Sequence, residues 1–260
     1  GHAVAFLGSS RSGKSTIAKN NSFSSPSYSR NIMISEIGFA VLLSFYASGA
    51  AGSLLFKKRD VLANIWQNFF AIVGSIWGLF LSIGMLMATR AISFTADSPI
   101  FPLLSFSFHI DALSAFFIFV ISLITLFCSV YGVGYIKHYY GKYSIGSLGF
   151  FYHLFIAGML MVVSASNGLF FLIAWEIMSI ASYFLVVYDL NDKNNVKAGF
   201  LYLVMTHIGT AFIILAFLLL FSVTGSFNFE SIKSGADSLP PLIKNTIFLL
   251  ALVGFGTKAG

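Results

Sequence analysis

Apolar runs of about 20 residues recur from residue 36 to the last residue, separated by short polar stretches. A helix needs about 20 mostly apolar residues to cross the hydrocarbon core of a bilayer, and a soluble fold has little use for so many runs of this length. The pattern therefore predicts an all-α, polytopic transmembrane helix bundle with about seven spans. The spans are expected near residues 36–56, 68–88, 113–135, 149–166, 168–188, 198–223 and 246–260.

The composition agrees with a membrane protein and excludes an ordinary soluble domain. Hydrophobic residues make up 57% of the 260 residues and charged residues only 9%, whereas globular domains carry about 25% charged residues. A net charge of +6 can indicate nucleic-acid binding, but here the basic residues form no stripe with interleaved aromatic residues. We therefore expect a lipid bilayer, and no nucleic acid, as a partner of this chain.

Lysine and arginine are distributed unequally between the two sets of loops, which predicts the orientation of the chain. The loops after the first, third and fifth spans carry seven basic residues: Lys57, Lys58, Arg59, Lys137, Lys142, Lys193 and Lys197. The opposite loops carry three: Arg90, Lys233 and Lys244. Short cytoplasmic loops carry an excess of Lys and Arg, so the first set is expected to be cytoplasmic.

Two connections between spans are long enough to have a structure of their own. Residues 104–109 alternate between apolar and polar side chains, which is the period of a strand, so the connection 89–112 is expected to form a short β-hairpin on the membrane surface. The connection 224–245 contains consecutive prolines and is expected to be a second surface loop.

The first residues contain a nucleotide-binding pattern. Residues 8–15 fit G-x-x-x-x-G-K-[ST], in which Gly8, Gly13, Lys14 and Ser15 would bind the phosphates and Mg²⁺ of a nucleotide. The segment resembles the P-loop of NTPases such as HPr kinase. Only about sixteen residues separate Lys19 from the first span, which leaves no room for the parallel sheet and acidic strand of an NTPase.

We interpret residues 1–32 as a P-loop-like segment, a remnant or a fusion junction, and residues 33–260 as the truncated membrane domain. Two alternatives remain open. The match can be accidental in a Ser- and Gly-rich tail, or the segment can be the end of a larger NTPase domain.

Three ionisable residues lie where the bilayer centre is expected: Glu176, His207 and Lys258. A charge at that depth costs about 3 kcal/mol on insertion scales, so such residues are usually functional or paired. Each also has a simpler explanation, because Glu176 can be a protonated, hydrogen-bonded glutamate, His207 a core histidine, and Lys258 a lysine near an interface. No second histidine lies at ligand spacing, so we predict no metal site.

Other polar residues near the span ends are interpreted as structural. His109, Asp111 and His153 are expected at the membrane interface, with Asp111 capping the third helix. The single cysteine, Cys128, lies within an apolar run and is expected in the core. One cysteine can hold neither a disulfide within the chain nor an iron–sulfur cluster, so the chain is expected to carry no redox cofactor.

Five segments resemble the antiporter-like subunits of complex I, of group 4 membrane-bound hydrogenases and of multisubunit cation/proton antiporters. Residues 108–117 and 131–135 resemble the ends of the third helix in that family, residues 167–188 resemble its fifth helix, and residues 253–260 its seventh. Residues 198–210 resemble in particular the hydrogenase-4 component B and formate hydrogenlyase type. Complex I relatives often have Arg and Asp where His207 and Thr210 stand.

The resemblance implies an inverted-repeat fold of about fourteen helices in the whole protein, with Glu176 as the family's essential glutamate and Lys258 as its partner. It implies proton translocation assisted by His207, driven by redox chemistry in partner subunits that carry iron–sulfur clusters and a redox metal or flavin. The location implied is a bacterial or archaeal plasma membrane. The alternatives are a cation/proton antiporter and an ATP-dependent membrane protein that uses the P-loop.

Overall fold

In a computed structural model of the chain, residues 26–88, 91–97, 105–189 and 192–259 are described. Residues Gly8, Gly13, Lys14 and Ser15 lie outside these ranges, so the predicted nucleotide site stays a prediction. Eight helices are described: α1 (Pro26–Leu55), α2 (Asp60–Ala88), α3 (Ala112–Tyr135), α4 (Ile145–Ser164), α5 (Gly168–Val186), α6 (Lys193–Thr224), α7 (Phe229–Gly235) and α8 (Pro241–Ala259).

Six of the described helices, α1 to α6, are long and apolar enough to cross a membrane. The all-α membrane architecture predicted from the apolar runs is confirmed. The seventh predicted span forms the helix α8, which is not among the six and carries Lys244 and Lys258 near its two ends. The chain is therefore a multi-pass membrane protein whose described part contains six candidate spans.

The first candidate span, Glu36–Leu55, agrees with the predicted 36–56, although the helix α1 that contains it is longer, and α2 begins earlier than predicted. The first helix begins at Pro26, whose fixed φ suits the first turn of a helix, so its backbone continues across the expected boundary at residue 33. The second begins at Asp60 and not near residue 68. Its first turns contain Asn64, Gln67 and Asn68, which interrupt the apolar pattern but are buried among the neighbouring helices.

The predicted β-hairpin is confirmed. Strand β1 (Ile92–Asp97) pairs antiparallel with β2 (Ser105–Ile110), and Phe94 stands opposite Phe108 with the ring centroids 4.8 Å apart. Both rings also contact Phe39 of α1, which is fully buried. The hairpin therefore packs its apolar side chains into one end of the α1–α5 bundle and is part of the core there.

The connections between helices fall into two groups at opposite ends of the bundle. At the hairpin end, Ser166 N–H donates to the Ser107 carbonyl at 2.9 Å and Phe229 N–H donates to the Ser166 carbonyl at 3.0 Å. At the other end, Gly141 N–H donates to Asp60 Oδ2 at 2.7 Å, and the rings of Tyr139 and Tyr188 meet at 6.1 Å.

The loops that carry the seven basic residues therefore lie at the same end of the bundle, as the alternation of spans predicts. We call this end the basic end. The predicted surface loop 224–245 lies at the hairpin end and is partly helical, since it contains α7 and a 3₁₀ turn, Ala236–Ser238. Asn228 caps α7 by accepting hydrogen bonds from Glu230 N–H and Ser231 N–H.

Asp111 caps α3, as predicted: its Oδ1 accepts a hydrogen bond from Ser114 N–H at 2.8 Å. That hydrogen bond holds the pKa of the Asp111 carboxyl below its usual range. His109 is close by, with Nδ1 2.7 Å from Ser93 Oγ on the neighbouring strand.

The placements of His153 and Cys128 were wrong. His153 is fully buried between α4 and α1, where its Nδ1–H donates to the Gly149 carbonyl at 2.8 Å and its ring lies against Gly49. Because α4 begins at Ile145, His153 lies two turns inside the helix and not at its start. Cys128 is exposed on the outer face of α3. The buried face of α3 carries Ser122, Thr125 and Ser129, and Cys128 lies beside this face and not on it.

Candidate functional site

Helices α5, α6 and α8 bring the predicted ionisable residues together. Helices α6 and α8 approach closely at two glycines, where a Cβ added to Gly209 would lie 2.8 Å from the Gly254 carbonyl oxygen. A Cβ added to Gly254 would lie 2.6 Å from Ile213 Cγ1. Small residues at this crossing let the two backbones touch, which places the residue after Gly209, Thr210, beside Lys258.

Lys258, Glu176 and Thr210 form a closed polar triangle. Lys258 Nζ makes an ion pair with Glu176 Oε1 and donates a hydrogen bond to Thr210 Oγ1 at 2.6 Å. Thr210 Oγ1 lies 2.5 Å from the same Glu176 oxygen. The three groups come from α8, α5 and α6, so the triangle joins side chains that are 34 and 48 residues apart in sequence.

Thr210 has a single hydroxyl proton and two acceptors for it. The hydroxyl can donate to Glu176 Oε1 or to the Thr206 carbonyl, 3.0 Å away on its own helix. Its oxygen meanwhile accepts from Lys258. Thr210 can therefore switch its donated hydrogen bond between the carboxylate and the helix backbone without moving out of the triangle.

His207 faces the other oxygen of the carboxylate. Its Nε2 lies 3.5 Å from Glu176 Oε2, and its Nδ1–H donates to the Leu203 carbonyl at 2.8 Å. With Nδ1 protonated, Nε2 of a neutral ring has only a lone pair to offer the carboxylate. A favourable contact therefore needs a proton on His207 Nε2 or on Glu176, or a water molecule between them.

Burial differs sharply across the site. The side chain of Lys258 is 2% exposed, that of Glu176 25% and that of His207 51%. The Lys258 Nζ also lies 5.3 Å from the centre of the Trp175 ring, within the range of a cation–π contact. The charge on Lys258 is thus stabilised by Glu176, Thr210 and Trp175. His207, in contrast, touches the Glu176 carboxylate with a side chain that is half exposed at the surface of the described bundle.

An open cavity of about 590 Å³ lies between α6 and α8, and Lys258 is among its lining residues. Its polar lining comes from Tyr202, Thr206, Thr257 and Lys258. Within the described ranges, no three His, Cys, Asp or Glu side chains lie close enough to hold a metal ion.

Family comparisons match the two parts of the chain that carry these features. The family described as NADH:quinone oxidoreductase/Mrp antiporter, TM, matches residues 165–260, which contain the whole site. The family described as NADH-ubiquinone oxidoreductase (complex I), chain 5 N-terminus, matches residues 103–144. The chain belongs to the family of antiporter-like membrane subunits. The resemblance noted in residues 108–117, 167–188 and 253–260 is confirmed.

Curated relatives of this antiporter-like chain include a hydrogenase component and a quinone oxidoreductase subunit. Hydrogenase-4 component B of Escherichia coli (strain K12) is 36% identical over 219 residues, which cover 84% of this chain and 32% of the relative. NADH-quinone oxidoreductase subunit L of Buchnera aphidicola subsp. Schizaphis graminum (strain Sg) is 35% identical over 116 residues, 42% of this chain and 19% of the relative. The chain thus spans about a third or less of the length of these relatives.

Solved structures share the fold of this antiporter-like chain. The archaeal membrane-bound sulfane sulfur reductase has a TM-score of 0.72 at 17% identity, covering 84% of this chain and 44% of that one. The Mrp complex from Dietzia sp. DQ12-45-1b has a TM-score of 0.67 at 19% identity, covering 84% and 23%. Respiratory complex I from Thermus thermophilus has a TM-score of 0.63 at 17% identity, covering 83% and 43%.

All three predicted ionisable residues of the antiporter-like chain meet at one place, but two members of the site were missed. Thr210 was noted only as a departure from complex I relatives, although the i, i+3 spacing places it on the same face of α6 as His207. Trp175 directly precedes Glu176 and carries no charge. Only the packing of α5, α6 and α8 reveals that both side chains lie beside Lys258.

Proposed function

We propose that this chain is part of a proton-translocating membrane subunit of a respiratory-type oxidoreductase complex. The observation that carries the proposal is the ion pair between Glu176 and Lys258, held by Thr210 inside a bundle of apolar helices. Ionisable residues buried among membrane helices are costly and typically belong to ion or proton pathways. The similarity to hydrogenase-4 component B supports the oxidoreductase assignment over other transport functions.

The proposed mechanism uses the dependence of each charge on its partner. While Lys258 and Glu176 touch, both charges are compensated. If a conformational change separates them, each becomes an isolated charge in apolar surroundings, which is strongly unfavourable. Releasing a proton from Lys258 and binding one at Glu176 removes both charges, so opening and closing the pair drives proton release and uptake. His207 exchanges protons with Glu176 directly or through water.

Energy for this cycle would come from electron transfer in other subunits. We propose membrane partner subunits of the same complex, and peripheral partners with iron–sulfur clusters and a redox metal or flavin, in a bacterial or archaeal plasma membrane. Residues 1–32 would then be a P-loop-like remnant or junction and residues 33–260 the membrane domain. Nucleotide binding through Lys14 stays a secondary prediction, checked by its loss in Lys14→Ala.

The test is a pair of carboxylate substitutions in the full-length protein within its complex. Glu176→Gln keeps the size and hydrogen-bonding shape of the side chain but removes its charge and its titration. We expect proton translocation in proteoliposomes to fall to the background of inactive complex. The control is Glu230→Gln, an exposed carboxylate of α7, which should pump normally. Normal pumping by Glu176→Gln would overturn the proposal.

A cation/proton antiporter is the second candidate. It is favoured by the family description, which names Mrp antiporters, and by the shared fold with the Mrp complex. This function predicts that an imposed Na⁺ gradient moves protons without any electron donor or acceptor. The respiratory function predicts no proton movement under that gradient and full movement when electron donor and acceptor are added.

A further inference from the structure

Two open cavities of the described bundle lie toward opposite ends from the Glu176–Lys258 pair. The cavity between α6 and α8 is lined by α6 residues from Ala198 to Thr206, which lie between the start of α6 at the basic end and Thr210. A second cavity, of about 550 Å³, lies at the hairpin end and is lined by both strands, the α4–α5 connection and α7. The structure between them decides from which end the pair exchanges protons.

Three aromatic rings in series connect the hairpin-end cavity to Lys258. Phe229 of α7 lines this cavity, and the centre of its ring lies 6.1 Å from that of Phe171. The Phe171 ring centre lies 4.9 Å from that of Trp175, one turn further along α5. The Trp175 ring centre lies 5.3 Å from Lys258 Nζ. Aromatic rings pack against each other at such distances, so aromatic surface is continuous from the cavity to the lysine.

Two further rings flank this series. Phe217 of α6, which is buried, has its ring centre 6.1 Å from that of Phe171 and 6.0 Å from that of Phe229. Phe255 of α8 has its ring centre 6.3 Å from that of Phe171 and 5.4 Å from that of Trp175. The five rings come from α5, α6, α7 and α8, and we call them the aromatic layer.

The backbone on both sides of Phe229 is bonded to the α4–α5 connection. Gly168 N–H donates to the Phe227 carbonyl at 2.8 Å, and Phe229 N–H donates to the Ser166 carbonyl at 3.0 Å. Helix α5 begins at Gly168 and carries Phe171 within its first turn. These hydrogen bonds therefore hold Phe229 next to the start of α5, where its ring meets that of Phe171.

The two sides of the ion pair thus differ in polarity. Toward the basic end, the cavity lining offers the hydroxyls of Tyr202, Thr206 and Thr257, which can hold water next to Lys258. Toward the hairpin end, the phenylalanine rings of the aromatic layer offer water no hydrogen-bonding group, and apolar constrictions exclude water. Glu176 lies eight residues into α5, about 12 Å from the hairpin end at 1.5 Å per residue, and the aromatic layer lies within that distance.

We propose that the aromatic layer is the barrier that makes the Glu176–Lys258 pair exchange protons with the basic end and not with the hairpin end. The contact between Phe171 and Phe229 is its outermost part, because Phe229 borders the hairpin-end cavity. These rings carry no proton themselves and act by excluding water. The inference rests on the proposed proton translocation at this pair and adds the end from which the pair is reached.

The test measures passive proton leakage through the full-length complex in proteoliposomes, without electron donor or acceptor. A potassium diffusion potential drives the protons, and a pH-sensitive dye in the lumen reports their flux. We expect Phe171→Ala and Phe229→Ala each to raise the flux by at least about tenfold, because water enters the space that the ring leaves. Phe229→Leu, which keeps an apolar side chain of similar bulk, should leak far less than Phe229→Ala.

The matched control is Phe221→Ala. Phe221 lies near the same end of α6, and its ring stacks on that of Phe227 at 4.5 Å, outside the aromatic layer. Its loss should leave the flux unchanged. An equal leak in Phe221→Ala and Phe229→Ala would overturn the inference, and so would a flux at the unsubstituted level in both Phe171→Ala and Phe229→Ala. Phe229 lies outside the six candidate spans, so its variants decide if Phe171→Ala fails to assemble.

A double substitution separates failure of the barrier from failure of the proposed function. A leak that reaches the ion pair must pass through its carboxylate, so Glu176→Gln combined with Phe229→Ala should return the flux to the unsubstituted level. A leak that persists in the double variant would overturn the inference, since protons would then bypass the pair. Failure of the proposed function is detected differently, as normal pumping by Glu176→Gln alone.

Discussion

The hydroxyl oxygen of Thr210 accepts a hydrogen bond from Lys258, so the lysine has a second oxygen partner besides the Glu176 carboxylate. We predict that Thr210→Val, which keeps the shape but removes the hydroxyl, slows proton translocation by roughly tenfold or more, because a hydrogen bond to a charged group contributes about 1.5–3 kcal/mol. Thr210→Ser should restore most of the rate. The measurement is pumping by the full-length complex in proteoliposomes, and equal rates for the two variants would show that only packing matters at this position.

Asp111 provides a prediction about pH and stability. Its folded-state pKa lies below the usual value because Ser114 N–H donates to the carboxylate. A lowered folded-state pKa means that the charged form stabilises the fold above pH ~4, and that this contribution is lost as the pH falls through the folded-state pKa.

Thermal melting of the full-length protein in detergent should therefore separate two substitutions at Asp111. Asp111→Ala should lower the free energy of unfolding by about 1 kcal/mol at neutral pH, as expected for loss of an N-cap. Asp111→Asn keeps the cap, so its smaller deficit should come from the missing charge and disappear under acid conditions. A deficit of Asp111→Asn that is the same at pH 7 and pH 3 would contradict the pKa argument.

The crossing of α6 and α8 sets the distance between Thr210 and Lys258. We predict that Gly209→Ala separates these helices, because its Cβ would come within 2.8 Å of the Gly254 carbonyl oxygen, a backbone atom that cannot rotate away. The expected result is a destabilisation of about 1–3 kcal/mol together with slower pumping. Gly256→Ala is the matched control, since no atom lies within 4 Å of an added Cβ there. Similar behaviour of the two variants in both assays would exclude the crossing as a positioning device.

The helices of this protein also show that hydropathy alone does not identify the buried side of a membrane helix. Hydropathy does not distinguish Cys128 from Ile118 in α3, although Cys128 is exposed and Ile118 fully buried. The buried face is marked instead by the small polar residues Ser122, Thr125 and Ser129. In α2 the polar residues Asn64, Gln67 and Asn68 suggest a loop, yet they are buried. They hydrogen-bond to each other and to neighbouring groups, such as Val133 O and Tyr140 Oη, in place of water. Polar residues usually indicate an exposed surface in a soluble protein. Among packed membrane helices they indicate contacts between helices instead.

For the whole molecule, the two groups of loops predict a single orientation in the membrane. The basic end should face the cytoplasm, because short cytoplasmic loops carry the excess of Lys and Arg. In a Cys128→Ala background, a cysteine at His138 should react with a membrane-impermeant maleimide only after the cells are permeabilised. A cysteine at Ser231, at the hairpin end, should react in intact cells. The reverse pattern would contradict the predicted orientation.

Length, hydropathy and rare charges are local properties, and they were enough to predict the membrane helices, the hairpin and the three ionisable residues Glu176, His207 and Lys258. A run of apolar residues must become a helix in lipid because its backbone groups have no other partners there. A strand-like alternation between two spans likewise predicts a hairpin from neighbouring residues alone.

The contacts of the site depend on residues that are far apart in sequence. Lys258 follows Glu176 by 82 residues and Thr210 by 48, and their meeting depends on how closely α6 and α8 pack at Gly209 and Gly254. The same holds for His153, whose burial results from the approach of α1 to α4. Small and polar residues mark the buried faces of α4 and α6, but only the packing of neighbouring helices decides which of these faces meet.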